Sequence, residues 1–161
     1  MIPLRSKNWE EFHIAIVLKP VSIENWYECP QLNVKPEQLS VFPAPVVYWI
    51  AESKYIDDFG LRAIYSEEVL VGFLVFCTNP DKDDNYWIPA IMIDEKHQGK
   101  GYGKAAMKAL IQLMSISHCK RIMIGHRPDN QIAGKLYESL GFKKVSEEVI
   151  DGEIIRLLQT V

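Results

Sequence analysis

The chain has 161 residues, a formal net charge of −3, 48% apolar content and 24% charged content. That is enough chain for one domain, residues 1–161, with a real core, and the mild acidity argues against nucleic acid as a partner. No apolar run approaches membrane-spanning length, and Arg5, Lys7, Glu10 and Glu11 interrupt any apolar leader core.

In chain order, residues 12–18 are β-branched and apolar and predict a first strand, ended by Pro20. Ser22 is placed to cap a helix through Ile23, Trp26 and Tyr27 that breaks at Pro30. Residues 35–45 hold three prolines and predict a loop with a short turn, followed by a second helix over 46–54. Residues 61–65 and 69–77 predict a hairpin joined at Ser66-Glu67-Glu68. An acidic loop spans 78–85, and 86–93 predict the next strand, with Pro89 suggesting an edge or a bulge. The three cysteines, Cys29, Cys77 and Cys119, are odd in number and lack metal spacing, which predicts reduced thiols in a cytoplasmic protein and no metal site.

The segment after that strand is the most informative. It reads Asp94-Glu95-Lys96-His97-Gln98-Gly99-Lys100-Gly101-Tyr102-Gly103-Lys104, and a helical pattern then places Ala106, Leu110, Leu113 and Met114 on one face. Alternating glycines let the backbone turn and approach a ligand closely. A helix starting there aims unpaired N–H groups and its positive dipole end into the turn, which makes an anion cradle. No Ser or Thr follows Gly103-Lys104, so the Walker pattern fails, and G-x-G-x-G is not the dinucleotide fingerprint G-x-G-x-x-G. Those absences argue against a nucleotide-binding protein.

Residues 121–125 predict a strand. After it, Asn130-Gln131-Ile132-Ala133-Gly134-Lys135-Leu136-Tyr137-Glu138-Ser139-Leu140-Gly141-Phe142 forms an amphipathic helix with an Asx cap and a glycine stop. Residues 142–150 and 153–158 flank Asp151-Gly152, the strongest short hairpin signal in the chain.

The spacing Gln98-x-x-Gly101-x-Gly103, followed one strand later by N-x-x-A-x-x-L-Y-x-x-L-G-F from Asn130 to Phe142, resembles the two signatures of the GNAT superfamily of N-acetyltransferases. The resemblance covers about residue 61 onward and implies an α/β (α+β) fold. The implied fold has a mixed central sheet of about seven strands, helices on both faces, and a β-bulge and splay between the fourth and fifth strands. It also implies acetyl-CoA as co-substrate. Its pantetheine would pair with backbone groups of Ile91, Met92 and Ile93, and its pyrophosphate would meet Gln98, Gly99, Lys100, Gly101, Tyr102, Gly103 and Lys104. Asn130 and Lys135 would stand on the helix nearby. Tyr137 takes the place of the family's usual general acid, the donor for the departing thiolate. Where several relatives carry a glutamate base, this chain has Pro89-Ala90. Glu24, Glu28, Asp81, Asp83, Asp84 and His126 are the alternatives for that role.

The N-terminal half is similar to bacterial diamine and polyamine acetyltransferases, of the spermine/spermidine group, around Ile23 to Cys29, Val34 to Gln38, Ile50 to Tyr55 and Tyr86-Trp87-Ile88. A small-molecule polycation needs aromatic walls and spaced carboxylates. Trp26, Tyr27, Trp49, Tyr86 and Trp87, with Glu24, Glu28 and Glu52, are the candidates. Each is equally a core aromatic or a surface acid. Another amine acceptor (a protein N-terminus, an aminoglycoside or an amino acid) and a non-catalytic acyl-CoA-binding module are the alternatives. The resemblance also implies a possible homodimer, since relatives are often dimers, and exposed apolar residues of the C-terminal hairpin, such as Ile154 and Leu157, are the candidates for its interface.

Overall fold

A computed structural model describes residues 14–42 and 44–161. Arg5, Lys7, Glu10, Glu11, Phe12, His13 and Pro43 lie outside the described residues. The elements are β1 (Ile16–Pro20), α1 (Val46–Glu52), β2 (Phe59–Ser66), β3 (Val69–Cys77), β4 (Tyr86–Trp87), β5 (Ala90–Ile93), α2 (Tyr102–Ile116), β6 (Arg121–His126), α3 (Gln131–Ser139), β7 (Lys143–Lys144) and β8 (Ile154–Gln159).

These strands form two four-stranded sheets, β1-β2-β3-β5 and β4-β6-β8-β7. The first is antiparallel throughout, and β4 with β6 is the one parallel pair in the second. The α/β class holds, but the expected single strand over 86–93 is divided between the sheets. Tyr86 and Trp87 pair with Ile122 and Met123 of β6, and Ile88 N–H still reaches the Met123 carbonyl at 2.9 Å. Pro89 has no N–H to continue that ladder. From Ala90 on, the chain pairs instead with β3, Ala90 opposite Val75 and Ile93 opposite Gly72. The V between β5 and β6 is the consequence.

Both faces of the first sheet are covered. On one side Ile64, Leu74 and Phe76 pack with Ala106, Met107, Leu110 and Met114 of α2 and Tyr137 of α3. On the other, Ala63, Phe73 and Val75 pack with Val46 of α1 and with Cys29 and Leu32. Side chains such as Phe73 and Leu74, fully removed from water, each contribute about 1.5–3 kcal/mol of burial free energy. No disulfide joins Cys29, Cys77 and Cys119. Among the described residues no helix is long and apolar enough to cross a membrane.

Two other expectations fail for local reasons. Residues 22–28 form turns rather than an α-helix, followed by a 3-10 turn at Cys29–Gln31. The buried Asn25 accepts the Ser22 N–H at 2.8 Å and donates to the Pro20 carbonyl at 3.1 Å, so its side chain pulls the segment back to β1. Of the strand expected over 142–150, only Lys143–Lys144 joins a sheet. Ser146 Oγ accepts the Glu148 N–H at 2.9 Å and bends the chain out of register. The Asp151-Gly152 turn forms as predicted, with φ of 50° and 82° and Ile150 bridged to Glu153.

Candidate active site

The glycine loop is held at its base by buried and half-buried polar groups. Asp94 N–H donates to the Val71 carbonyl (2.8 Å), and the buried Asp94 carboxylate accepts the N–H groups of Lys96 (3.2 Å) and Asn33 (2.9 Å). Gln98 Nε2 donates both to the Ile93 carbonyl (2.9 Å) and to Gln38 Oε1 (2.8 Å), while Gln38 Nε2 donates back to Gln98 Oε1 (3.0 Å). This reciprocal amide pair ties the loop to the turn of residues 36–38. Gly99 and Gly101 then take φ of 75° and 85°, a region that favours glycine. The first backbone bond of α2 runs from Ala105 N–H to the Gly101 carbonyl at 3.2 Å. The N–H groups of Tyr102, Gly103 and Lys104 therefore have no carbonyl within the helix to bond.

Tyr102 and Gly103 line a cleft of about 330 Å³ between β5 and β6. One wall is residues 88–93, and among the described residues the outer edge of β5 has no strand partner because β6 has turned to β4 and β8. The opposite wall is Ile124 to Arg127, and α3 contributes Ala133, Leu136 and Tyr137. Of the residues predicted to hold a cofactor, Ile91, Met92, Ile93, Gln98, Gly99, Gly101, Tyr102, Gly103 and Asn130 line this one cleft. Lys100, Lys104 and Lys135 are exposed and stand off its wall. Asn130 also caps α3, accepting the Ala133 N–H at 3.3 Å.

Tyr137 is 6% exposed. Burial first, and the Glu153 carboxylate second, push its phenol up to about 12. Its ring lies 5.9 Å from His126 and 6.0 Å from Phe142, and among the described residues no group hydrogen-bonds its hydroxyl. His126 is committed elsewhere. Nδ1 sits 2.9 Å from the Arg127 carbonyl, and Nε2 accepts from Arg156 Nε at 3.0 Å. The guanidinium fixes the tautomer with the proton on Nδ1 and leaves the ring no free lone pair, so neither ring nitrogen is open to a substrate proton.

The remaining candidates fall elsewhere. Glu24, Trp26, Tyr27, Glu28 and Glu52 are exposed and do not line the cleft. Trp26 faces a second hollow with Ile23, Lys54 and Arg62. Tyr86 packs against the core, as Trp49 does on the other side of the sheet. Trp87 Nε1 donates to Asp81 Oδ2 at 2.8 Å. That bond, with the N–H groups of Asn85 and Asp83, holds Asp81 down to about 2. Asp81, Asp83 and Asp84 are likewise absent from the cleft wall. From the N-terminal half it is Val34, Gln38, Val41 and Phe42 that reach the cleft, and from the C-terminal hairpin it is Glu153. Val34 and Gln38 bound one of the stretches that resemble the polyamine acetyltransferases, whereas no periodicity or motif singles out Val41, Phe42 or Glu153 in the sequence.

The family model described as Acetyltransferase (GNAT) family matches residues 21–142. The spermine/spermidine N(1)-acetyltransferase of Bacillus subtilis (strain 168) is 33% identical over 146 residues, covering 87% of this chain and 95% of that protein. Among solved structures, an aminoglycoside acetyltransferase, AAC(6')-Ib, in complex with coenzyme A superposes with a TM-score of 0.74 at 13% identity, covering 90% of this chain and 95% of that one. The spermidine N-acetyltransferase from Vibrio cholerae in complex with CoA and spermine superposes with a TM-score of 0.70 at 16% identity, covering 88% and 92%.

Proposed function

The chain belongs to the acetyltransferase (GNAT) family, and from that premise we propose that it transfers the acetyl group of acetyl-CoA to a small primary amine, a polyamine such as spermine or spermidine. The observation that carries this reading is the convergence of three features on one cleft. Among the described residues they are an unpartnered strand edge, the unpaired N–H groups opening α2, and a buried phenol without a hydrogen-bond partner. The strand edge at Ile91 to Ile93 suits the amides of a pantetheine arm, since buried backbone groups need partners. The N–H groups of Gly99 to Lys104, at a helix N-terminus, suit its pyrophosphate. The polyamine acceptor rests on the relative 33% identical across 95% of its own length.

In this reading the amine attacks the thioester carbonyl directly, with both substrates bound together. Tyr137 gives its proton to the departing sulfur. A free alkylamine is neutral in only about one molecule in a few thousand at pH 7, so proton removal from the acceptor is part of the task.

The test is coenzyme A release from acetyl-CoA, measured across spermine, spermidine, a short diamine, an aminoglycoside and an N-terminal peptide. Turnover concentrated on the polyamines is expected. Turnover confined to another amine would replace the acceptor, and tight acetyl-CoA binding without turnover on any amine would favour a non-catalytic binding module. The loop is tested separately by Gly101→Val. Valine at φ 85° is strained, and its Cβ would lie 2.9 Å from Ile14 Cδ1, so about 1–2 kcal/mol is set against the cradle. The KM for acetyl-CoA is expected to rise about tenfold with kcat within about twofold. A KM within twofold of wild type would remove the loop from the site.

A further inference from the structure

Starting from the neutral fraction of the amine, the proposed reaction leaves one proton without an owner. When the acceptor nitrogen bonds to the acetyl carbon it becomes positively charged and must lose a proton before the amide can stand. None of the groups first considered is free for this: His126 has both ring nitrogens engaged, Asp81 is bonded to Trp87 and Asn85, and Glu24 and Glu28 are off the cleft.

One carboxylate does line the cleft. Among the described residues Glu153 is the only acidic one that forms its wall, which it shares with Tyr137. The backbone sets its place. Ile150 N–H donates to the Glu153 carbonyl at 2.8 Å, and Glu153 N–H to the Ile150 carbonyl at 2.9 Å, around the Asp151-Gly152 turn. The next residue, Ile154, pairs with His126 at the end of β6. The carboxylate then lies across Gly125, where a β-carbon would collide with it. Gly125 thus leaves the space that a side chain on β6 would take from Glu153. Glu153 as a residue is exposed, so water reaches it.

The geometry points to Glu153 as a catalytic residue of the same proposed reaction, the base that takes the proton from the acceptor nitrogen as the C–N bond forms. This rests on the acetyltransfer reading. The C–N bond forms, and the proton on nitrogen passes to the Glu153 carboxylate. The C–S bond breaks, and sulfur takes the Tyr137 hydroxyl proton. The resulting phenolate outcompetes a carboxylate for a proton, so the proton on Glu153 returns to Tyr137 through water and both groups are reset. Neutral amine and thioester become amide and thiol with nothing left over. The Glu153 charge already reaches the phenol, which it helps to keep protonated.

Glu153→Gln keeps the shape and the backbone bonds to Ile150. It is expected to lower kcat on the best amine by about 10²–10³-fold, with the KM for acetyl-CoA and the melting temperature unchanged and with Glu153→Asp partly restoring kcat. Tyr137 ionisation, followed by ultraviolet difference titration against Tyr137→Phe, is expected at lower pH in Glu153→Gln than in wild type. An unchanged kcat, or a loss confined to the amine KM, would overturn the assignment. So would a phenol titration that does not move. If wild type turns over no amine, the acetyltransfer reading fails, and the titration still decides whether Glu153 faces Tyr137.

Discussion

Tyr137→Phe is expected to lower kcat by about 10²–10³-fold, the usual contribution of a positioned proton donor, with the fold intact and the affinity for acetyl-CoA within about twofold of wild type. The variant is a clean probe because the ring keeps its packing against His126 and Phe142, and the hydroxyl has no protein partner to lose among the described residues. Steady-state kinetics with the best amine acceptor, beside a melting curve, make the measurement. A variant with wild-type kcat would remove Tyr137 from the chemistry. The pH profile gives a second reading. With its phenol pushed up to about 12, Tyr137 stays protonated through neutral and mildly alkaline pH. Any fall in rate below about pH 10 therefore comes from another group. The sign for stability follows the same way. The folded phenol ionises above the unfolded one, near 10, so burying it neutral stabilises the fold fully below that pH, and this fades as pH rises through 12.

Gly72→Val is expected to destabilise the protein by about 3 kcal/mol, at the upper end of what overpacking a core typically does. Gly72 sits opposite Ile93 in the β3–β5 ladder. A β-carbon there would collide with the Met92 carbonyl and lie 2.9 Å from Ile93 Cδ1 and 3.2 Å from Ile64 Cδ1. Side-chain tips can rotate away, but the carbonyl belongs to β5 and cannot yield unless the strand moves. For a chain of this size that corresponds to a fall in melting temperature of about 6–12 °C. Acetyl-CoA affinity is expected to fall as well, since β5 is one wall of the cleft. Thermal melting with and without acetyl-CoA measures both, and a melting point within about 2 °C of wild type would refute the close approach.

Much of this architecture is legible in the residues. Helix α2 and helix α3 announce themselves by apolar spacing and by Gly101 and Asn130 at their starts, and the Asp151-Gly152 turn by its dipeptide alone. Pro89 pointed to an irregularity, but the sequence does not say that the chain changes sheets there, because that depends on β6 pairing with Tyr86 and Trp87 from 36 residues away. The helix expected after Ser22 was lost to a single amide, Asn25, reaching back to Pro20. Motif spacing singles out the glycine loop and Tyr137, which line one cleft in the structure, because both motifs depend on local backbone geometry. Glu153 and the Arg156–His126 contact depend on where the final hairpin lands, and a lone acid in a hairpin carries no pattern. The aromatics and acids of residues 24–28 fit a polycation by type, yet the structure sets them outside the cleft.

The unpartnered edge of β5 bears on solubility as well as on binding. An exposed row of backbone donors and acceptors is a template for the strand of another molecule, and thus a route to aggregation. Here that edge looks inward, with Ile124 to Arg127 and helix α3 standing across a narrow gap. An edge that faces a cleft wall is a less open template for another strand than one bare to solvent. By turning its edge into a slot, the fold aims its hydrogen-bonding capacity into the cleft.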